Sequence, residues 1–315
     1  MLKIKNLHPL LAIAIIALLL GTSCNKSTTT TATKPLSLKP AGIAYLSEAK
    51  SNVSAAVVRD TVYIFGGSVN NVTPSKKIEM FDVATQTTSV LPEPLNQAAG
   101  GCAVVGDNVY LFGEEDIQIF NTKTKKITAT LPNKLTNFWY PEAVALGDKI
   151  YLMGGGASGK RSSAIWIFNT KDSSVTTAPA QTKELFLDLA VVGRKIYICY
   201  SDLGSNPWEV FDPLTNIITL TKFAPNLSNG PGITVVGNTI FILGGYEYKK
   251  NEYTDSIISF NSILQTQQTM PITLKKKKDF LKAVTANNGK KIIVLGGREG
   301  GTKDLNEIEI FDVIQ

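Results

Sequence analysis

The chain is nearly devoid of histidine. Its 315 residues contain one, His8, and that one sits in an N-terminal segment with the marks of a leader. Its absence downstream excludes Ser-His-Asp and Cys-His nucleophilic sites, histidine general bases and histidine metal ligands. Arginine is scarce as well. Of 32 basic residues only Arg59, Arg161, Arg194 and Arg298 are arginines. Nucleic-acid readers concentrate arginine on one face, so no nucleic-acid partner is expected. Cysteine is limited to Cys24, Cys102 and Cys199, too few for a disulfide scaffold. Charged residues make up only 18%, which argues against a disordered or coiled-coil chain. What fills the sequence instead is Val, Ile, Thr, Tyr and Phe in short runs bounded by Gly, Asn, Asp and Pro, the composition of strands and tight turns.

The one long apolar run is Leu10–Leu20, 11 residues. It is too short to cross a hydrocarbon core of about 30 Å as a helix. Lys3 and Lys5 precede it; small residues and Cys24 follow. This is a secretory signal pattern. Its end resembles a bacterial lipoprotein lipobox, with Leu20 one place earlier than usual and Ser23 before the cysteine. The resemblance implies a signal over 1–23, lipidation of Cys24 and export to a bacterial membrane or cell surface. Residues 24–39, rich in Thr and Lys, read as a flexible tether, leaving 40–315 as the folded domain. Without the leader the net charge falls from +6 to +4.

Internal repetition decides the architecture. A tight turn, an apolar run and a closing doublet recur as RDTVYIFGG, GDNVYLFGE, GDKIYLMGG, GRKIYICYS, GNTIFILGG and GKKIIVLGG. Each is followed by an apolar pair ending in Phe and then Asp or Asn: IEMFD, IQIFN, IWIFN, WEVFD, IISFN and IEIFD. The Phe residues lie 39, 48, 43, 49 and 51 positions apart, a period that suits four short strands with turns. Before each turn stands a run of small or β-branched residues: SAAVV, GCAVV, EAVAL, LAVV, GITVV and KAVTA. Small residues suit strands crowded around an axis.

These copies resemble kelch-repeat β-propellers, the class that includes the central domain of galactose oxidase. The Gly-Gly doublet stands at 66–67, 154–155, 244–245 and 296–297; Gly113-Glu114 and Tyr200-Ser201 replace it elsewhere. Phe occupies the family's Tyr position, and its fourth-strand Trp is missing. The resemblance implies an all-β, six-bladed propeller of four-stranded antiparallel blades. The sixth copy ends after its third strand, so AGIAYL (41–46) is expected to supply the missing one and close the ring.

Strand order puts the short turns on one face. The longer loops, between strands two and three and between blades, lie on the other, where binding is expected. Candidate ligand-binding residues there are Trp139, Tyr140, Arg161, Trp208, Tyr246, Arg298 and Glu299. At least two of Trp139, Tyr140, Arg161, Tyr246 and Arg298 are expected to line a central pocket. Aromatic platforms with a few charges suit a glycan, a peptide or a protein. No catalytic residue, cofactor or metal is assigned. The galactose oxidase copper site would need histidine. Lys275–Lys278 reads as a solvated loop, and GGGASGKR (154–161) is rejected as a phosphate loop because Arg161 replaces the Ser or Thr that would hold magnesium. Cys102 and Cys199 fall in different repeats and are expected as free thiols. The leading reading is a lipid-anchored, monomeric binding module. The alternatives are a sugar-active enzyme resembling sialic acid mutarotases, with Arg161, Arg298, Glu114 and Glu299 as its groups, and a structural subunit of an envelope complex.

Overall fold

The structure, a computed structural model, describes residues 35–96, 100–135, 139–157, 160–183, 187–200, 207–223 and 230–315. The described residues form strands and turns without a helix. Six antiparallel sheets follow one another, each built on a path of four strands. In the first these are Ser54–Val58, Thr61–Phe65, Ile78–Asp82 and Thr87–Val90. The first strands of the second to fifth sheets are Cys102–Val105, Trp139–Leu146, Leu187–Val192 and Gly232–Val236. The sixth sheet comprises Lys282–Ala286, Lys291–Leu295, Glu307–Ile314 and, from the N-terminal side, Ser37–Tyr45. That last strand pairs antiparallel with Glu307–Ile314, from Ser37 opposite Ile314 to Tyr45 opposite Glu307.

The strand begins at Ser37, three residues before the boundary expected from composition. Leu38 is buried among Phe241, Leu243 and Phe311, which gives the segment an apolar anchor that its Thr- and Lys-rich neighbourhood conceals. Pro40 is accommodated at a register shift between Pro40 and Gly42, where a missing amide donor costs the ladder least.

Six apolar cores fill the gaps between sheets. Each draws on two successive sheets, and one joins Val62, Ile64 and Phe81 of the first to Ile293, Leu295 and Ile308 of the sixth. The second strands are buried on both faces, which explains why they read as unbroken apolar runs. The repeating Phe81, Phe120, Phe168, Phe211, Phe260 and Phe311 are all buried. Burial of each contributes roughly 1.5–3 kcal/mol. The first strands lie side by side in sequence order, and Lys282–Ala286 packs beside Ser54–Val58.

A polar device repeats behind these cores. The third strands place Glu79, Gln118 and Glu309 at one equivalent position, fully or almost fully buried. Each accepts a hydrogen bond from a backbone amide in the loop before its own sheet: Ser47 to Glu79 (2.8 Å), Asn96 to Gln118 (2.8 Å) and Lys275 to Glu309 (2.9 Å). Three residues after Ser47 and Lys275 come Lys50 and Lys278. Their ammonium groups lie 2.5 Å from Glu79 and 2.8 Å from Glu309 with no exposure to solvent. Lys278 is thus a core ion-pair partner rather than part of a solvated run. Glycine is needed where the chain passes Lys50. Gly296 has φ +52°, and a Cβ there would collide with the Lys50 carbonyl, while the Gly297 amide donates to that same oxygen at 3.1 Å. In the fourth sheet, where the doublet is replaced, the Tyr200 hydroxyl donates to Glu209 in the lysine's stead.

Candidate functional site

At one aligned level of the six first strands, or just before it in the second sheet, stand Ser54, Gly101, Glu142, Asp188, Gly232 and Lys282. The first strands line a cavity of about 390 Å³. Glycine at 101 follows from crowding: a Cβ would strike the Pro141 carbonyl and the Ala143 amide of the neighbouring first strand. Three of the six positions carry charge. Lys282 Nζ lies 3.2 Å from Glu142 Oε2 and 3.3 Å from Asp188 Oδ1, linking the sixth sheet to the third and fourth. All three side chains are partly exposed, and Glu142 and Lys282 line the cavity. Burial drives the Glu142 carboxyl up to about 7 against the pull of Lys282, with Asp188 pushing the same way. The two carboxylates hold the Lys282 ammonium above the ordinary lysine range, outweighing its desolvation. The Cys102 thiol is raised to about 12 by burial, so it stays protonated and a poor nucleophile. Cys102 and Cys199 are both free.

Around this end of the strands stand the loops between second and third strands, several folded into small β ribbons: Ser68–Val69 with Thr73–Pro74, Tyr246–Glu247 with Glu252–Tyr253, and Arg298–Glu299 with Lys303–Asp304. Tyr246 packs against Tyr248 (5.2 Å) and Tyr253 (5.0 Å), and its hydroxyl donates to Asn251. Arg298 is only 7% exposed. Its guanidinium lies 4.4 Å over the Phe280 ring, donates to Asn71 Oδ1 and sits 3.8 Å from Asp279. Burial raises the Asp279 carboxyl to about 6, with Arg298 opposing. The Asn71 amide in turn donates to Asp304 (3.0 Å), and the Asn52 amide to the Phe280 carbonyl (2.9 Å). These bonds knit loops of the first and sixth sheets to the segment between the fifth and sixth.

Several of the sequence expectations change here. Trp208 is not a surface platform: it is 1% exposed, edge-on to Phe223 (5.1 Å) and Phe260 (6.0 Å) in the core between the fourth and fifth sheets. Neither Tyr246 nor Arg298 lines the cavity. Tyr246 packs its own ribbon, and Arg298 braces loops. Glu299 lies on the loop face, 3.5 Å from Lys276 and 3.9 Å from Lys303. Trp139 begins the first strand of the third sheet, opposite Gly156, and Tyr140 follows it; Arg161 pairs with Gly156 from the other side. The side chains of Trp139, Tyr140 and Arg161 lie outside the described residues, as does Cys24. Glu142, Asp188 and Lys282 were missed. Their signal was a charged residue directly before the small and β-branched runs AVAL, LAVV and AVTA. Among the described residues no group of three His, Cys, Asp or Glu side chains is placed to hold a metal ion.

The Kelch motif family matches residues 49–94 and 140–180, which correspond to the first and third sheets. Kelch-like protein 15 of Homo sapiens is 22% identical over 249 residues, covering 65% of this chain and 40% of that protein. Its counterparts in Mus musculus and Rattus norvegicus match to the same extent. The chain therefore spans less than half the length of these relatives. Two kelch motifs, each coinciding with one antiparallel four-stranded sheet, and this likeness to Kelch-like proteins support a kelch-repeat family for the chain.

Proposed function

We propose that the six sheets are blades of a closed propeller, held at a bacterial membrane by a lipid on Cys24, that offers its loop face to a protein partner. Closure is supported by the cyclic order of the first strands and by the core shared between the sixth and first sheets. The observation that carries the binding reading is the cross-braced rim. Arg298, Asn71, Asp304 and Phe280 tie loops from separate sheets together, so the rim is ordered before any partner arrives. A preorganised surface loses less entropy on association. Its ribbon tips carry Val72, 78% exposed, and Tyr248, 37% exposed; tyrosine is among the residue types that anchor interfaces. Kelch repeats point the same way, towards a protein-interaction module.

The test places a photo-crosslinking phenylalanine analogue at Val72 or Tyr248 on the loop face, or at Lys171 on the turn face, in intact cells. A discrete protein adduct from 72 and 248 but not from 171 is expected. Adducts from 171 alone, or from none of the three, overturn the reading.

One observation favours a second reading, a sugar-active enzyme such as a mutarotase-like epimerase: a carboxyl held near 7 beside a lysine at the lining of a cavity. A thermal-shift screen against sialic acids and other glycans separates the two. A shift abolished by Glu142→Gln favours the enzyme, and a flat screen removes it.

A further inference from the structure

The face opposite the loops carries a pattern that the fold does not require. In the first five sheets the third strand ends in Asp or Asn, whose side chain accepts hydrogen bonds from amides two or three residues on: Asp82 from Ala84 and Thr85, Asn121 from Lys123 and Thr124, Asn169 from Lys171, Asp212 from Leu214, and Asn261 from Ile263 and Leu264. Each turn closes on a residue in the left-handed region: Gln86, Lys125, Ser173, Asn216 and Gln265, with φ between +54° and +58°. The backbone is therefore the same five times over, and the tips are free to vary. In the first three sheets they are Ala-Thr, Lys-Thr and Lys-Asp. In the fourth and fifth they are Leu214, 68% exposed, and Ile263 and Leu264, 69% and 65% exposed. Nothing in the turn geometry asks for a large apolar side chain there, and water penalises it.

The sixth sheet has no such turn. At the corresponding place the N-terminal strand begins, with Ser37 opposite Ile314, itself 42% exposed. The chain from Cys24 thus joins the domain on the turn face, on the sheet that follows the two with apolar tips. The 13 residues from Cys24 to Ser37 reach at most about 45 Å when extended. Arg194 and Lys290, at the first turns of the fourth and sixth sheets, are exposed on the same face.

We propose that Leu214, Ile263 and Leu264 seat this side of the domain in the surface of an anionic bilayer, with Arg194 and Lys290 facing the headgroups and the loop face held outward. The proposal rests on lipidation of Cys24 for delivery to the surface. Apolar side chains flanked by basic ones enter the boundary between headgroups and acyl chains to about 5–10 Å, and basic residues are drawn to an anionic surface.

The test uses the full chain recovered from membranes. Incorporation of an alkyne fatty acid, compared between the wild type and Cys24→Ser, reads the anchor. Docking is read by an environment-sensitive fluorophore on Ile263→Cys, with Lys303→Cys on the loop face as control, in phosphatidylglycerol-containing vesicles doped with nitroxide lipids. Both sites are exposed, so neither change threatens the fold. The expected result is fatty acid on Cys24, strong quenching at 263 and none at 303. Fatty acid on Cys24 with no quenching at 263, or with equal quenching at both sites, overturns the docking and leaves the anchor standing. Absence of fatty acid from Cys24 overturns the anchor, and the docking proposal with it.

Discussion

The ion pair between Lys278 and Glu309 offers the sharpest stability test. The two side chains are 0% and 4% exposed, with Nζ 2.8 Å from Oε1. Lys278→Met keeps most of the stem's packing and removes the charge, leaving a buried carboxylate without its counter-ion. Such a loss costs about 3–5 kcal/mol. The lower end applies here, because Glu309 Oε2 still accepts from the Lys275 amide at 2.9 Å. Glu309→Gln keeps an acceptor for that amide but strands the ammonium. The double variant removes both charges, and its cost falls to about 1 kcal/mol or less, since a neutral replacement of a buried pair is often tolerated. With each single variant costing about 3 kcal/mol and the double about 1 kcal/mol, the cycle yields a coupling of about 5 kcal/mol. Urea unfolding measures it: with slopes of about 1–3 kcal/mol per molar, the Lys278→Met midpoint falls by about 1–3 M and the double variant recovers most of it. A single variant within about 0.5 kcal/mol of wild type, the range of ordinary surface changes, refutes the reasoning, and so does a double variant whose cost is the sum of the singles.

Two further outcomes follow from other parts of the molecule. Glu142 is raised in the folded state from 4.5 to about 7, so the folded protein holds a proton that the unfolded chain releases across that window. Its contribution to stability consequently declines as pH rises from 4.5 to about 7. Glu142→Gln should show a smaller decline in melting temperature over that window, and parallel curves for the two proteins would contradict the assignment. Gly296→Ala meets both a left-handed φ and the Lys50 carbonyl, whereas Gly106→Ala meets the φ alone, with nothing within 4 Å of the new Cβ. The second should cost about 1–2 kcal/mol and the first clearly more; equal costs in urea unfolding would remove the packing role of the doublet.

The strands were legible because each carries its own local signal. The turn glycines 106, 147, 193 and 237, the apolar second strands and the buried Phe positions all state one structure at short range. The pairing of Ser37–Tyr45 with the sixth sheet followed from counting strands, although Leu38 extends it beyond the segment that looked apolar. The candidate site was harder to see. Glu142, Asp188 and Lys282 lie 46 and 94 residues apart in the chain, and only superposing the six first strands brings them to one level. Trp208 misled for a related reason. It precedes a strand in sequence, yet it packs against Phe260 of the next sheet, a contact that no local pattern announces. Arg298 was placed on the correct face, but its burial depends on Asn71, 227 residues away.

Hydrogen exchange of Ser37–Tyr45 in the native protein tests the ring directly. If this strand completes the sixth sheet, the amides it turns toward Glu307–Ile314 should exchange far more slowly than those of an unstructured peptide, while those on its outer edge exchange fast. Exchange of every amide of 37–45 at the rate of an unstructured peptide, while 291–295 stays protected, would contradict closure and leave the sixth sheet with three strands.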